Sequence, residues 1–317
     1  TLLYPTKETH HMTAAITLLD GGMGQELIRR SSAAKPHPLW SLQVMMDEPE
    51  LVANVHRDFC LAGARVICLN TYSVTRHRLQ MGTALPDLPE LLKHAGDLAR
   101  AGIHASGRSG IDVVASLPPL TASYLKQSPL SPVQMKDEYK ELMELQRNHV
   151  DGFLAETLSS VAEGQAVLSA AQEAGTGVHL AFTVQDEDGT LLRSGESLED
   201  ALRACTPLNP LSIILNCSVP EAIDQGLPLL ATVTDTFGAY ANGFHSITAL
   251  KPGGTVDVLT AREELTPSVY ADMALQWMDL GASILGGCCE VGPAHIKALA
   301  DGIVGKGRQL SGLPAQP

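Results

Sequence analysis

Long apolar runs are missing from this chain: no stretch reaches the ~18 residues needed to cross a bilayer as a helix. Positive charge is scarce. Lys and Arg number 22 against 35 Asp and Glu, a net charge of −13 at pH 7. That argues against nucleic acid or an anionic membrane as a partner and is compatible with a cationic small molecule. Aromatic residues are few, with 2 Trp, 6 Tyr and 5 Phe, so the core must rest on aliphatics and Ala. Six cysteines in 317 residues are too sparse for a disulfide framework. Reduced thiols and a cytoplasmic location are the matching expectation. The polar start, Thr1 to His11, has no apolar segment of a signal peptide. Residues 1–11 are read as a tag or disordered N-terminal extension, and 12–317 as one barrel domain.

What the chain does contain is a repeat. A short apolar strand, a polar turn and an amphipathic helix recur along it. Strands are expected at 15–19, 65–69, 111–115, 153–155, 178–182, 211–215, 237–240 and 282–285. From Asp20 to Gly287 is 267 residues over seven intervals, about 38 per unit. Helices fit between them at 49–61, 88–105, 132–150, 159–174, 197–204, 267–280 and 293–303. The segment 227–233 reads equally as helix or strand. Continuous apolar strands imply a parallel sheet covered by helices. Eight units predict a single α/β (β/α)8 TIM barrel. An open doubly wound sheet is the alternative, but Gly21-Gly22-Met23-Gly24 lacks the GxGxxG spacing of a dinucleotide turn.

In a barrel the C-terminal strand ends share one rim, where active sites form. Asp20, Asn70, Glu156, Cys217, Asn242, Cys288 and Cys289 all fall at such ends. Each alone is an ordinary cap or turn residue. Three cysteines on one rim are harder to explain as packing, because Cys288 and Cys289 follow Gly286-Gly287 in close-approach backbone. Cys60, Cys68 and Cys205 are read as packing residues. Three thiolates match a Zn2+ site with three protein ligands and an open fourth position.

Leu18-Leu19-Asp20-Gly21-Gly22-Met23-Gly24-Gln25-Glu26-Leu27 resembles the opening motif of the homocysteine S-methyltransferase family. Asn216-Cys217, and Gly286-Gly287-Cys288-Cys289 followed by Pro293-Ala294-His295-Ile296, resemble that family's zinc motifs. The likeness runs in order from about residue 15 to 305. It implies a barrel with zinc at the strand C-terminal rim, held by Cys217, Cys288 and Cys289. It also implies that Asp20 and Glu156, with the neighbouring Thr157, bind the amino-acid end of homocysteine. Backbone amides around Gly21, Gly22 and Met23 would hold its carboxylate. Asn70, Tyr72, Asn242 and His245 are candidates for a fourth ligand or the donor pocket. Tyr72, Phe244 and Trp40 are the rings available to face a cation.

The implied activity is methionine formation. A methyl group passes from a small onium donor to the zinc-bound thiolate of L-homocysteine. Donors compatible with the resemblance are S-methylmethionine, S-adenosylmethionine, betaine and dimethylsulfoniopropionate. The chain departs from the family at one informative place. Members using S-methylmethionine carry a YGAYLADGSEY-like stretch after the third strand, where this chain has Leu117 to Leu125 and then Lys126-Gln127-Ser128-Pro129. The Tyr-Leu echo at Tyr124-Leu125 survives and the acidic part does not, which leaves the donor open. Two alternatives stand beside this reading. One is a homocysteine-activating module dependent on a corrinoid or folate partner. The other is a non-catalytic barrel with a redox-active Cys288-Cys289 pair.

Overall fold

The computed structural model describes residues 15–32, 39–82, 85–250, 254 and 256–314, so the reading of 1–11 as an extension lies outside the described residues. β1 (Ile16–Leu18) is followed by α1 (Met23–Arg30), α2 (Trp40–Asp47) and α3 (Pro49–Ala62). β2 (Val66–Cys68) leads to α4 (Arg76–Leu79) and α5 (Leu88–Ser106), and β3 (Asp112–Leu117) to α6 (Pro132–Gln146). β4 (Gly152–Leu158), β5 (His179–Phe182) and β6 (Ser212–Asn216) precede α7 (Val161–Ala174), α8 (Leu198–Cys205) and α9 (Pro220–Leu230) in turn. β7 (Phe237–Tyr240), α10 (Pro267–Asp279), β8 (Ile284–Leu285), α11 (Pro293–Gly305) and β9 (Leu310–Ser311) complete the order.

All strand pairs are parallel, and β2 to β8 stand side by side in chain order before β1. The ring closes where Leu19 bridges Val66. There the Asp20 amide donates to Val66 O at 3.0 Å and the Arg65 amide to Leu18 O at 2.8 Å. This is the expected (β/α)8 architecture, and all eight predicted strands are present. β9 is an addition that the sequence did not announce. It is two residues long and pairs with the lower half of β1, Ile16 opposite Leu310.

Helix boundaries follow their punctuation. Asp87, Ser131, Ser160, Ser197 and Thr266 each accept an amide of the first turn. α3, α5 and α7 end on left-handed Gly63, Gly107 and Gly175. The ambiguous 227–233 segment is helical to Leu230 although it contains Pro228. α6 stops at Gln146, short of the expected 150, where the His149 amide bonds back to Gln146 O in a tighter turn.

Two apolar layers result. The larger lies between strands and helices, with Trp277, Tyr139 and Phe59 fully buried in it. The smaller fills the barrel interior with one inward residue from each of the eight strands or its end: Leu19, Val66, Val114, Leu154, Ala181, Ile214, Tyr240 and Ile284. Side chains alternate along a strand. Two residues beyond Val66, Val114, Leu154 and Ile214 come Cys68, Ser116, Glu156 and Asn216, the polar layer above.

Candidate active site and metal centre

The ligand sulfurs of Cys217, Cys288 and Cys289 all lie within 4.8 Å of one another. Backbone bonds between neighbouring strand ends set this up. The Cys217 amide donates to Tyr240 O at 3.1 Å and the Cys288 amide to Ala241 O at 2.9 Å. Cys217 has φ +46° and Glu290 φ +65°, so both cysteine turns use left-handed backbone at non-glycine residues. Such conformations are held by surrounding structure and cluster at functional sites.

The donor set suits a soft cation. Three sulfurs at ~2.3 Å from a tetrahedral zinc stand about 3.8 Å apart, within the observed spread. The Cys217 sulfur is held well below the usual thiol range, chiefly by hydrogen bonds from the Cys288 and Cys289 thiols, with Tyr124 and Arg193 assisting. Tyr124 is a site residue that the sequence reading named only as a motif echo. Its hydroxyl sits 3.1 Å from Cys217 Sγ, and Arg193 stacks 5.4 Å from its ring centroid. Arg193 is itself fixed by a buried ion pair with Asp186 at 2.7 Å.

Asp20 and Glu156 line the same cavity as the thiols, both buried. Asp20 accepts from the Cys68 amide at 3.0 Å. Glu156 accepts from Ser116 Oγ at 2.5 Å, Tyr240 Oη at 3.3 Å and Cys68 Sγ at 3.7 Å. Burial pushes the Glu156 carboxyl up to about 7, against the Ser116 hydrogen bond. Asp20 is raised well above its ordinary value by burial, opposed by the Cys68 amide and reinforced by Glu156. The nearby Glu156 carboxylate thus disfavours charge on Asp20, and Cys217 does the same to Glu156. Cys68, expected to be packing, instead faces this cavity between the two acids; Cys60 and Cys205 are buried as expected.

Thr157 has φ +61° and is clamped by Asn216, whose Oδ1 accepts its amide at 2.9 Å and whose Nδ2 donates to its hydroxyl at 3.0 Å. At the β1–α1 turn, two expected carboxylate donors are already engaged. The Gly22 amide bonds to Val291 O and the Met23 amide to Gly21 O, each at 2.9 Å. Among the described residues, the Gly21 amide and the first-turn amides of Gly24 and Gln25 donate to no backbone oxygen. Gly21, Gly22 and Met23 still line the cavity.

Asn70 and Tyr72 line the cavity, Asn70 donating to Ser41 O and Tyr72 Oη standing 2.7 Å from Ser123 Oγ. Asn242 and His245 do not. Asn242 is buried in the turn after β7, accepting from the Phe244 amide, and His245 is exposed. Trp40 and Phe244 join Tyr72, Tyr124 and Tyr240, so five of the chain's 13 aromatics face this one cavity. Ser116, Tyr124 and Tyr240 are the functional-site residues the sequence reading missed. Counting in twos along β3 from Val114 and along β7 from Gly238 would have found Ser116 and Tyr240; Tyr124 lies in a loop with no such period.

A family model described as homocysteine S-methyltransferase matches residues 17–303. Homocysteine S-methyltransferase 1 of Brassica oleracea var. italica is 25% identical over 311 residues, covering 89% of this chain and 92% of that protein. Selenocysteine Se-methyltransferase of the same species is 24% identical, covering 96% of this chain and 93% of its own length. The metallated homocysteine methyltransferase MmuM from Escherichia coli has the same fold, with TM-score 0.72 at 23% identity over 90% of this chain and 96% of that one. With a family match along nearly the whole barrel, this chain belongs to the homocysteine S-methyltransferase family and is an enzyme of the methyltransferase class.

Proposed function

We propose that this enzyme moves a methyl group from a small onium donor to the sulfur of L-homocysteine, giving methionine, with zinc held by Cys217, Cys288 and Cys289. The observation that carries the reading is the convergence of three sulfurs within 4.8 Å in a cavity that two buried carboxyls, Asp20 and Glu156, also line. A zinc ion bound there would supply the positive charge that makes a thiol a thiolate at neutral pH. Asp20 and Glu156, the two buried carboxyls of the cavity, receive the substrate ammonium. The open amides at the start of α1 receive its carboxylate. Tyr124 donates to the Cys217 sulfur and holds that ligand's orientation.

The transfer is a displacement. The homocysteine sulfur forms a bond to the methyl carbon as the onium–methyl bond breaks, and that bond's electron pair stays on the leaving nitrogen or sulfur. The thiol proton leaves to solvent beforehand, so no side chain has to act as a general base on the thiol during the transfer. The chain's own contribution is alignment and the exclusion of water by the aromatic wall.

The test is a methyl-transfer assay on the purified enzyme with homocysteine and a donor panel, with metal content measured on the same sample. About one zinc per chain is expected, and loss of both zinc and turnover in Cys217→Ser, Cys288→Ser or Cys289→Ser. Full turnover after complete zinc removal would sink the metal part of this reading. The likeness to a selenocysteine Se-methyltransferase makes selenocysteine the acceptor to run alongside.

A further inference from the structure

One cation of the cavity has no counter-ion among the described residues. Arg76, His77 and Arg78 are consecutive on α4. Arg76 pairs with Glu141 and His77 with Glu138. Arg78 turns inward, is 8% exposed and lines the cavity. Its Nη2 donates to two neutral oxygens, Pro119 O at 3.1 Å and Ser123 Oγ at 3.3 Å. Its Nε is buried without any acceptor. The other arginine buried at this rim, Arg193, has Asp186. A guanidinium taken out of water without an anion is costly, and proteins seldom keep one unless something supplies the charge.

The surroundings say where that charge would come from. The Arg78 guanidinium stacks over the Tyr72 ring, 5.1 Å from its centroid. Tyr72 Oη is 2.7 Å from Ser123 Oγ, and the next residue, Tyr124, reaches Cys217 Sγ. Arg78 therefore stands about one aromatic side chain back from the thiols. It bonds to neither Asp20 nor Glu156, whose own partners are Cys68, Ser116 and Tyr240. The homocysteine carboxylate already has donors at the start of α1.

We propose that Arg78 is a carboxylate subsite that selects zwitterionic methyl donors, those carrying an onium centre and a carboxylate on one short chain. The carboxylate docks on the guanidinium fork, which matches its two oxygens. The methyl-bearing centre then lies over Tyr72 toward the thiols. A donor with the onium charge alone meets only repulsion from Arg78. The inference rests on the methyl-transfer reading above and adds the class of donor.

The test compares wild type, Arg78→Met and Arg78→Lys with two donors that share a sulfonium and differ in the carboxylate: dimethylsulfoniopropionate and trimethylsulfonium. The ratio of kcat/KM for the first over the second is expected to fall about 10- to 100-fold in Arg78→Met, the worth of a charged hydrogen-bonded contact. Arg78→Lys keeps the charge without the fork and should fall between. The KM for homocysteine should stay within about twofold. An unchanged ratio, or a homocysteine KM that rises in step with the donor's, overturns the inference and leaves methyl transfer intact. Calorimetric titration of each donor into zinc-loaded protein without homocysteine gives the second readout. Wild type should bind dimethylsulfoniopropionate more tightly than trimethylsulfonium, and Arg78→Met should lose that preference. Wild type that shows no preference in this titration overturns the subsite. Wild type that binds with the preference yet transfers methyl from no donor overturns the methyl-transfer reading and supports the subsite.

Discussion

Glu156 carries an energetic cost that the proposed ammonium-binding role explains. Its carboxyl is raised to about 7 by burial, so between pH 4.5 and about 7 the unfolded chain has lost this proton while the folded chain keeps it. Stability therefore falls as pH rises through that window, then stays level, by roughly 3 kcal/mol for the full interval. Glu156→Gln removes the cost. Metal-free Glu156→Gln is expected to melt above wild type at pH 8 and level with it at pH 4.5. Methionine binding gives the matching functional sign. In wild type the affinity rises with pH toward about 7, as the carboxylate that accepts the ammonium forms. In Glu156→Gln it is weak and flat. Thermal melts and calorimetric titration at three pH values check both; a variant less stable than wild type at pH 8 would remove the argument.

Between elements, the β1–α1 turn and the Cys288-Cys289 turn are built against one another. A Cβ on Gly22 would stand 2.5 Å from Cys288 O, and one on Gly21 would stand 2.1 Å from Val291 O. Both obstacles are backbone, which cannot rotate aside. The glycines of the opening motif are thus needed for the packing of the Cys288-Cys289 turn as well as for the β1–α1 turn itself. Gly22→Ala is expected to weaken zinc by 10-fold or more in chelator competition and to lower the melting temperature. Gly305→Ala, where nothing lies within 4 Å, serves as the control and should gain up to about 1 kcal/mol. Equal zinc affinity in Gly22→Ala would show that the two turns are not coupled.

The same turns show what a linear reading reaches. Apolar strands ending in Gly, Asn or Cys were legible because each parallel strand is buried on both faces and stops at a polar rim. That placed Asp20, Glu156 and the three cysteines together before any coordinates. β9 was not legible, since Leu310-Ser311 has no apolar run and pairs only because β1 offers an edge there. Asn242 and His245 follow a strand end, but the chain turns them away from the cavity. Arg78 and Tyr124 enter it from α4 and from the loop after β3, which are tied together and to Arg193 by tertiary contacts through Pro119, Ser123 and Tyr124.

At the scale of the whole molecule, the barrel has a working end and a closed end. The closed end is sealed by the chain after α11. Leu313 packs against the interior layer, its amide donates to Asp112 Oδ2 at 2.7 Å, and Thr17 Oγ1 donates to Gly312 O at 2.7 Å. Ending the chain at Arg308 removes this seal together with the β1–β9 pairing. The expected loss is on the order of 2–4 kcal/mol, read as a melting temperature lower by roughly 5–15 °C. The zinc site should keep its affinity, because its ligands come from the opposite rim. A truncated protein that melts with wild type would show that β9 and Leu313 are ornamental.

The pairing of Ile16 with Leu310 has a practical corollary. The first and last described strands leave the barrel side by side at its base, on the side facing away from the thiols. A linker joining residues near Ala15 to residues near Pro314 would have little distance to span, which favours circular permutation with new ends elsewhere. A solid support attached beside Ala15 or Pro314 would likewise hold the barrel by its floor, with the cavity mouth turned to solution.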